Sequence, residues 1–413
     1  MTEMQTHKQG PAWDYLQKWG YLRKRFSMGM IHTAVILHDG TAIGCVRNGV
    51  MENYGIESWN NLKEIACINL ATLGLRNDGT IYYTNRLQED ITPLSFWPNN
   101  IKTISNSYGH VLGLTYDGYV VAFGDNDEGQ CNVSDWTNIV EISATDGLSA
   151  GVKNDGTVVI CGNEALLDKI ASWKNIEHIY CGNSNLLVGL QFDGRVLVAS
   201  TQEIFDTSEW KNIIDISCGY NVIAGIQGNG KVCLTGDVPI ELKSNGLENI
   251  LVVKVSKQCH ERIDTVFALT NNGEGWFGEV ANLHRYSAAG ILFMADGGMN
   301  GCFVVINQDG TIAINYGSAA VYSNNWKIFN NPVRGYENNE NKTAITKPSA
   351  SDSVSNEYSI KHDDSPKEYL SNVQSEDTSN SNNGKTTYLV LAILFLFLFW
   401  PVSIYFFYKY SQS

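Results

Sequence analysis

Through most of the chain, short apolar runs alternate with polar turns, the pattern of β-strands joined by hairpins. The segment HVLGLTYDGYVVAFG is representative: two apolar runs flank Asp117-Gly118. An Asp-Gly or Asn-Gly pair recurs at Asp39, Asp78, Asp117, Asp155, Asp193, Asn229, Asn272 and Asp309, in steps of 36 to 43 residues. Such pairs supply the positive φ angles of a tight hairpin turn, so each predicts a β-hairpin. About twenty residues ahead of most turns stands a tryptophan, as in WNNLKEIA (Trp59), WPNNIKTIS (Trp97), WTNIVEIS (Trp136), WKNIEHIY (Trp173) and WKNIIDIS (Trp210). The apolar run after each tryptophan adds a strand, so the unit has at least three.

Regular self-similarity of this length is the mark of a repeat architecture. The fold class expected is all-β, a β-propeller of seven or eight blades, eight hairpin units being counted, over residues 20–331. Four residues before the turn stand Gly74, Gly113, Gly151, Gly189 and Gly225. These predict an inner strand crowding the propeller axis, where a missing Cβ lets backbones converge. The tryptophans are expected to be wedges between neighbouring blades. At the seam, Trp326-Lys327-Ile328-Phe329 restarts the unit and stops, which predicts a C-terminal strand closing a blade begun near the N-terminus.

Residues 1–19 form a polar N-terminal segment with no apolar stretch of a secretory signal. Residues 332–387 turn to Asn, Ser, Lys, Asp and Glu without period, the composition of a disordered linker. Residues 388–408, YLVLAILFLFLFWPVSIYFFY, carry no charge and are long enough to cross a bilayer as one helix, leaving a short tail at 409–413. This predicts a single-pass, tail-anchored membrane protein with its propeller on the cytoplasmic side.

Composition narrows the partner. The net charge of −14 repels phosphate backbones, so nucleic acid is not expected. Nine cysteines, none in a C-x-x-C pair or at zinc-ligand spacing, read as reduced core residues. The motifs of zinc hydrolases, nucleophile-elbow enzymes, phosphate-binding loops, EF-hands and dinucleotide folds are absent from the sequence, so no metal, cofactor or catalytic residue is expected. The basic run Arg23-Lys24-Arg25, beside Trp19, Tyr21 and Phe26, is expected to be a solvated edge strand.

The stretch ISNSYGHVLGLTYDGYVVAFGDNDEGQCNVSDW, between Trp97 and Trp136, resembles the regulator of chromosome condensation repeat, with its Gly-His corner, Leu-x-x-Asp-Gly turn and Gly-x-Asn-x-x-Gly-Gln tail. At about forty residues per unit it is similar to the short bacterial form found in β-lactamase inhibitor propellers. The resemblance covers roughly residues 20–330 and implies a propeller whose loops bind another protein. The family also includes a nucleotide exchange factor. This chain departs from that member in lacking a long inserted wedge and in its acidic balance.

Two sets of loops are candidates for contact with a partner. One follows the third strand, at Asp125, Asn126, Asp127 and Glu128; the other joins the first two strands, at Tyr108, His110 and Tyr220. The function expected is a membrane-tethered, non-catalytic protein-binding propeller, a scaffold, recruiter or inhibitor of an unidentified protein. The alternatives are a lyase or hydrolase site at the propeller axis and exchange activity toward a small GTPase.

Overall fold

A computed structural model describes residues 7–327, apart from 29–31, 47–54, 69–70, 86–91, 239–246, 258–263, 274, 280–283, 287–290, 297–302, 308–310 and 317–318. The predicted linker, spanning helix and tail lie outside the described residues. Among the described residues no helix is long and apolar enough to cross a membrane. The chain divides into Met1–Asn341, which holds all the sheets among the described residues, and Lys342–Ser413.

Eight antiparallel sheets follow one another in chain order, six of three strands and the last two of four. The third is typical: Ile101–Asn106, His110–Thr115 and Val120–Gly124 pair up and down, with Gly113 opposite Ile104 on one side and Val121 on the other. The turn glycines take the predicted positive φ, Gly118 at 80° among them. The order and pairing are those of propeller blades, in the number of hairpins counted from the sequence.

The tryptophans are wedges. Trp136 packs against Leu112, Leu114 and Val120 of the third sheet and against Ile139 and Ile142 of the fourth, so one indole joins two blades. Burying a side chain of this size removes much apolar surface from water at each joint. The repeated glycines, however, lie on the middle strand, not on an inner one. A Cβ on Gly113 would stand 2.6 Å from Cζ3 of Trp97, and one on Gly225 2.7 Å from Cζ3 of Trp210. The missing side chain makes room for the tryptophan of the same unit, and crowding at the axis is not the cause.

A second stitch runs between blades. Asn61, Asn138, Asn175, Asn212 and Asn249, two residues after each tryptophan or its equivalent, adopt φ of 57–60°. Asparagine tolerates this left-handed conformation better than most residues. It brings the next backbone N–H onto the preceding turn: Ile139 donates to the Gly118 carbonyl at 2.9 Å and Ile213 to that of Gly194 at 3.0 Å. The asparagine carbonyl in turn accepts from its own blade, Asn154 donating to Asn138 at 2.9 Å.

The seam differs from expectation. Strand Ala319–Lys327 pairs with Thr311–Tyr316 as the fourth strand of the eighth sheet, while the first sheet is completed by its own Phe26–Met28. The eighth unit thus keeps the strand that was expected to cross.

From His7 the N-terminal segment is folded. Pro11 opens the helix Pro11–Trp19, a position where its missing N–H costs nothing. Ala12, Tyr15 and Trp19 turn inward, and a 3₁₀ turn at Gly20–Lys24 buries Leu22. Ala12 belongs to the core cluster of the sixth and seventh sheets, with Val222, Ala224, Val253 and Val266. The Arg23-Lys24-Arg25 run is therefore part of this helical cap and not an edge strand.

Candidate functional site

The loops predicted from sequence do gather at one end of the blades. Asp125 donates its backbone N–H to the Gly109 carbonyl at 2.8 Å, and the Tyr108 N–H reaches Oδ1 of Asp146 at 3.1 Å. Asp125, Asn126, Asp127 and Glu128 are exposed, and Tyr108 and Tyr220 half-buried. The acidic loop is held by its own bonds: Asn126 accepts from the Cys131 N–H at 2.7 Å and Gln130 from the Glu128 N–H at 3.0 Å. The described residues hold no group of three or more metal-ligating side chains.

His110 is not available as an anchor there. It is fully buried, with Nδ1 2.8 Å from the Ser107 hydroxyl and Nε2 2.8 Å from that of Ser149. Burial pushes its pKa down to about 4, against the opposing pull of Asp146 and Asp125. A glycine-histidine corner thus marks a structural joint. Of the six described free cysteines, Cys67, Cys181 and Cys218 are buried as expected, while Cys131, Cys161 and Cys233 are half-buried; burial raises Cys131 to about 12 and Cys161 to about 11, keeping both protonated.

The first strands of the blades carry a set of residues that no motif announced. Each begins with a register irregularity, and the residue just past it is Glu64, Thr103, Glu141, His178 or Asp215 in the second to sixth sheets. Adjacent residues of the cap reach this set on three different blades. Arg23 holds Asp215 in the sixth sheet, Nη1–Oδ1 3.0 Å and Nη2–Oδ2 2.5 Å. Lys24 Nζ lies 2.8 Å from the Thr103 hydroxyl and 3.1 Å from the Ile104 carbonyl in the third sheet, and 3.4 Å from Glu64 in the second.

Every carboxylate of this set is engaged. Glu64 accepts from the Thr103 hydroxyl and the Ile104 N–H, and Glu141 from His178 at 2.7 Å and the Ile179 N–H at 3.1 Å. Asp215 also takes the Tyr180 hydroxyl at 3.2 Å and lies 3.8 Å from Lys254. Burial alone would raise Asp215, but Arg23 and Lys254 hold it well below the usual carboxylate range. Burial opposes the charge on His178, yet its bond to Glu141 prevails and its pKa is raised. Next to this layer the hydroxyls of Ser27, Ser105, Ser143 and Ser217 accept backbone N–H bonds from the following blade, at 2.9–3.1 Å.

The cap sits at the turn end of the blades, opposite the predicted loops. Ala12 donates to the Gly228 carbonyl at 3.0 Å, and a Cβ on Gly228 would meet Gln9 at 2.0 Å. The equivalent positions before the other described turns hold His38, Asn77, Tyr116, Asn154, Phe192 and Asn271. Glycine stands only where the N-terminal segment crosses. Tyr21 on the cap, Tyr116, Tyr119 and Phe192 beside their turns, and Val140 next to the start of its blade's first strand are exposed, five of the eight large hydrophobic side chains exposed among the described residues.

Residues 101–130 match the family described as Regulator of chromosome condensation (RCC1) repeat. No curated protein matches the chain in sequence. Among solved structures, Prp20p from Saccharomyces cerevisiae is similar at 11% identity and a TM-score of 0.42, over 67% of this chain and 80% of that one. Human WBSCR16 is similar at 14% identity and 0.40, over 66% and 83%. The CRINKLY WD40 ectodomain of the Arabidopsis thaliana receptor kinase ACR4 is similar at 12% and 0.43, over 60% and 92%. The matched segment runs from the first strand of the third blade, at Ile101, through its acidic loop to Gln130.

Proposed function

We propose that the chain is a propeller of such repeats that binds a protein partner without catalysing a reaction, tethered by residues 388–408 with its blades on the cytoplasmic side. The second, fourth, fifth and sixth units reuse the tryptophan and glycine positions of the third, and the Asp-Gly or Asn-Gly turn recurs in all eight, which supports extending the repeat through the eight sheets into a ring. The observation that carries the binding reading is the gathering of exposed Tyr21, Tyr116, Tyr119, Val140 and Phe192 at the turn end. Aromatic side chains concentrate binding energy because they bury much area for little rotamer entropy. The axial carboxylates, by contrast, are committed to Arg23, Lys24, His178 and backbone donors. That arrangement favours a structural role for them over proton transfer.

Tethering raises the effective concentration toward a partner in the same membrane, so modest contact suffices. The test is proximity labelling in cells with the full chain and with a chain ending before Tyr388. The proposal expects one membrane-associated protein labelled by the first and lost with the second. Identical labelling by both would remove the tether from the account, and labelling no higher than background would remove the partner.

A further inference from the structure

Where the cap meets the first two sheets it leaves a cleft of about 490 Å³ at the turn end. Its walls carry Lys24 and Arg25 from the cap, His38 and Asp39 from the first turn, and Lys63 and Glu64 from the second sheet. The two acids are already satisfied. Asp39 accepts from the backbone and hydroxyl of Thr41 at 3.0 and 2.6 Å, and Glu64 from Thr103, Ile104 and Lys24. The cations are not matched in the same way. Arg25 bonds the Leu37 carbonyl through one terminal nitrogen, while its Nε is buried with no hydrogen-bond partner. Lys63 lies 3.4 Å from the Tyr116 hydroxyl and 5.4 Å from the centre of that ring, a neutral partner.

The Arg25 Nε is closed to solvent, so an incoming group would meet the guanidinium through its terminal nitrogens, and a charged acceptor forms the strongest bond to such a donor. Lys24, Arg25 and Lys63 thus set three cations against two carboxylates, Asp39 and Glu64, that already accept bonds, and the cleft keeps an excess of donors. It opens beside exposed Tyr21 and Tyr116, the aromatic surface on which the proposed function rests. A chain with a net charge of −14 is repelled as a whole by an anionic lipid surface. A single acidic side chain entering a local cationic cleft is not, since surface charges more than about 10 Å away are largely screened at physiological salt.

We propose that this cleft receives a carboxylate from an acidic segment of a protein partner, with Arg25 and Lys63 as its donors and Tyr21 and Tyr116 flanking the peptide. The inference rests on the partner-binding reading and names the chemistry of the partner.

The test uses the detergent-solubilised full chain and a fluorescent peptide of four glutamates and one phenylalanine, followed by anisotropy. Binding is expected to weaken about tenfold in Arg25→Gln and in Lys63→Gln. It should be unchanged in Lys169→Gln, on a short helix remote from the cleft, and absent for the tetraglutamine peptide. Lys63→Gln leaves the Leu37 bond in place, so it reads the cleft even if Arg25→Gln lowers stability. Equal binding by all variants, or none by the unaltered chain, overturns the inference. Displacement of the peptide by glycerophosphoserine but not by glycerophosphocholine also overturns it, assigning the cleft to a lipid headgroup. If the proximity-labelled partner still binds directly while the peptide does not, the cleft assignment alone has failed.

Discussion

The guanidinium of Arg23, on the N-terminal cap, holds both carboxylate oxygens of Asp215, on the first strand of the sixth blade, at 3.0 and 2.5 Å. The two residues are 192 positions apart in sequence, and the pair fastens the cap over the centre of the blades. Asp215 is buried, so removing Arg23 leaves a charge in a poorly solvated site. Breaking such a pair costs about 3–5 kcal/mol. Arg23→Gln is expected to lower the stability measured by denaturant unfolding by about that amount. Arg23→Met with Asp215→Leu should lose less than either single change.

The same pair sets an acid limb. Asp215 in the folded chain lies below its ordinary value, so its contribution is present above the unfolded aspartate pKa of about 3.9 and is lost as pH falls toward the folded value. Asp215→Asn should flatten the stability profile below pH ~4 relative to the unaltered chain. A profile with the same slope in both would contradict the assignment.

His110 gives a second window of the opposite residue type and the same sign. Its folded pKa is about 4 against an ordinary 6.5, so the unfolded chain takes up a proton first. Stability is then full above about pH 6.5 and falls by up to about 3 kcal/mol as pH drops toward 4. His178 is raised by Glu141 and behaves oppositely, contributing below the ordinary histidine value and losing that contribution as pH rises through its folded value. Unfolding midpoints of His110→Gln and His178→Gln against pH should lose these two limbs separately.

The glycine and tryptophan of one unit occupy one space. Gly113→Ala places a Cβ 2.6 Å from the Trp97 ring and is expected to cost about 1–3 kcal/mol. Gly20, with no heavy atom within 4 Å of an added Cβ and a φ of −57°, should accept alanine with no loss. Equal thermal unfolding of the two variants would contradict this packing.

Tyr116 and Tyr119 flank one turn and are 63% and 55% exposed. Replacing both by serine should shift stability by less than about 0.5 kcal/mol. Capture of the proximity-labelled partner should fall about tenfold or more. Retained capture would move the contact to another surface.

The repeat unit was legible because its signals are local. Asp117-Gly118 needs only its own turn, and Trp136 only a strand on either side. The left-handed asparagines were also in plain view, as Asn138 in WTNIVEIS and Asn212 in WKNIIDIS, with the blade-joining serines Ser143 and Ser217 each five residues on. Their roles are bonds to a neighbouring blade, which hydrophobic periodicity does not encode. The position of Gly113 was read correctly as crowded and attributed to the wrong neighbour, because period alone does not say which strand lies inside. His110 looked like a loop anchor for the same reason: Ser149, which buries it, lies 39 residues away. The cap was the hardest to see. Its helix is short, its basic run suggested solvent, and its partners Asp215 and Gly228 declare themselves only as departures from the repeat.

The central claim is that a protein partner binds the turn end beside the cap. Amide hydrogen exchange of the full chain, with and without the partner recovered by proximity labelling, reads the contact directly. The account predicts slowed exchange at residues 21–25, 38–41, 63–64 and 116–119, with 107–110, 125–130 and 219–221 unchanged. Protection confined to those last segments, or absent throughout, would contradict it.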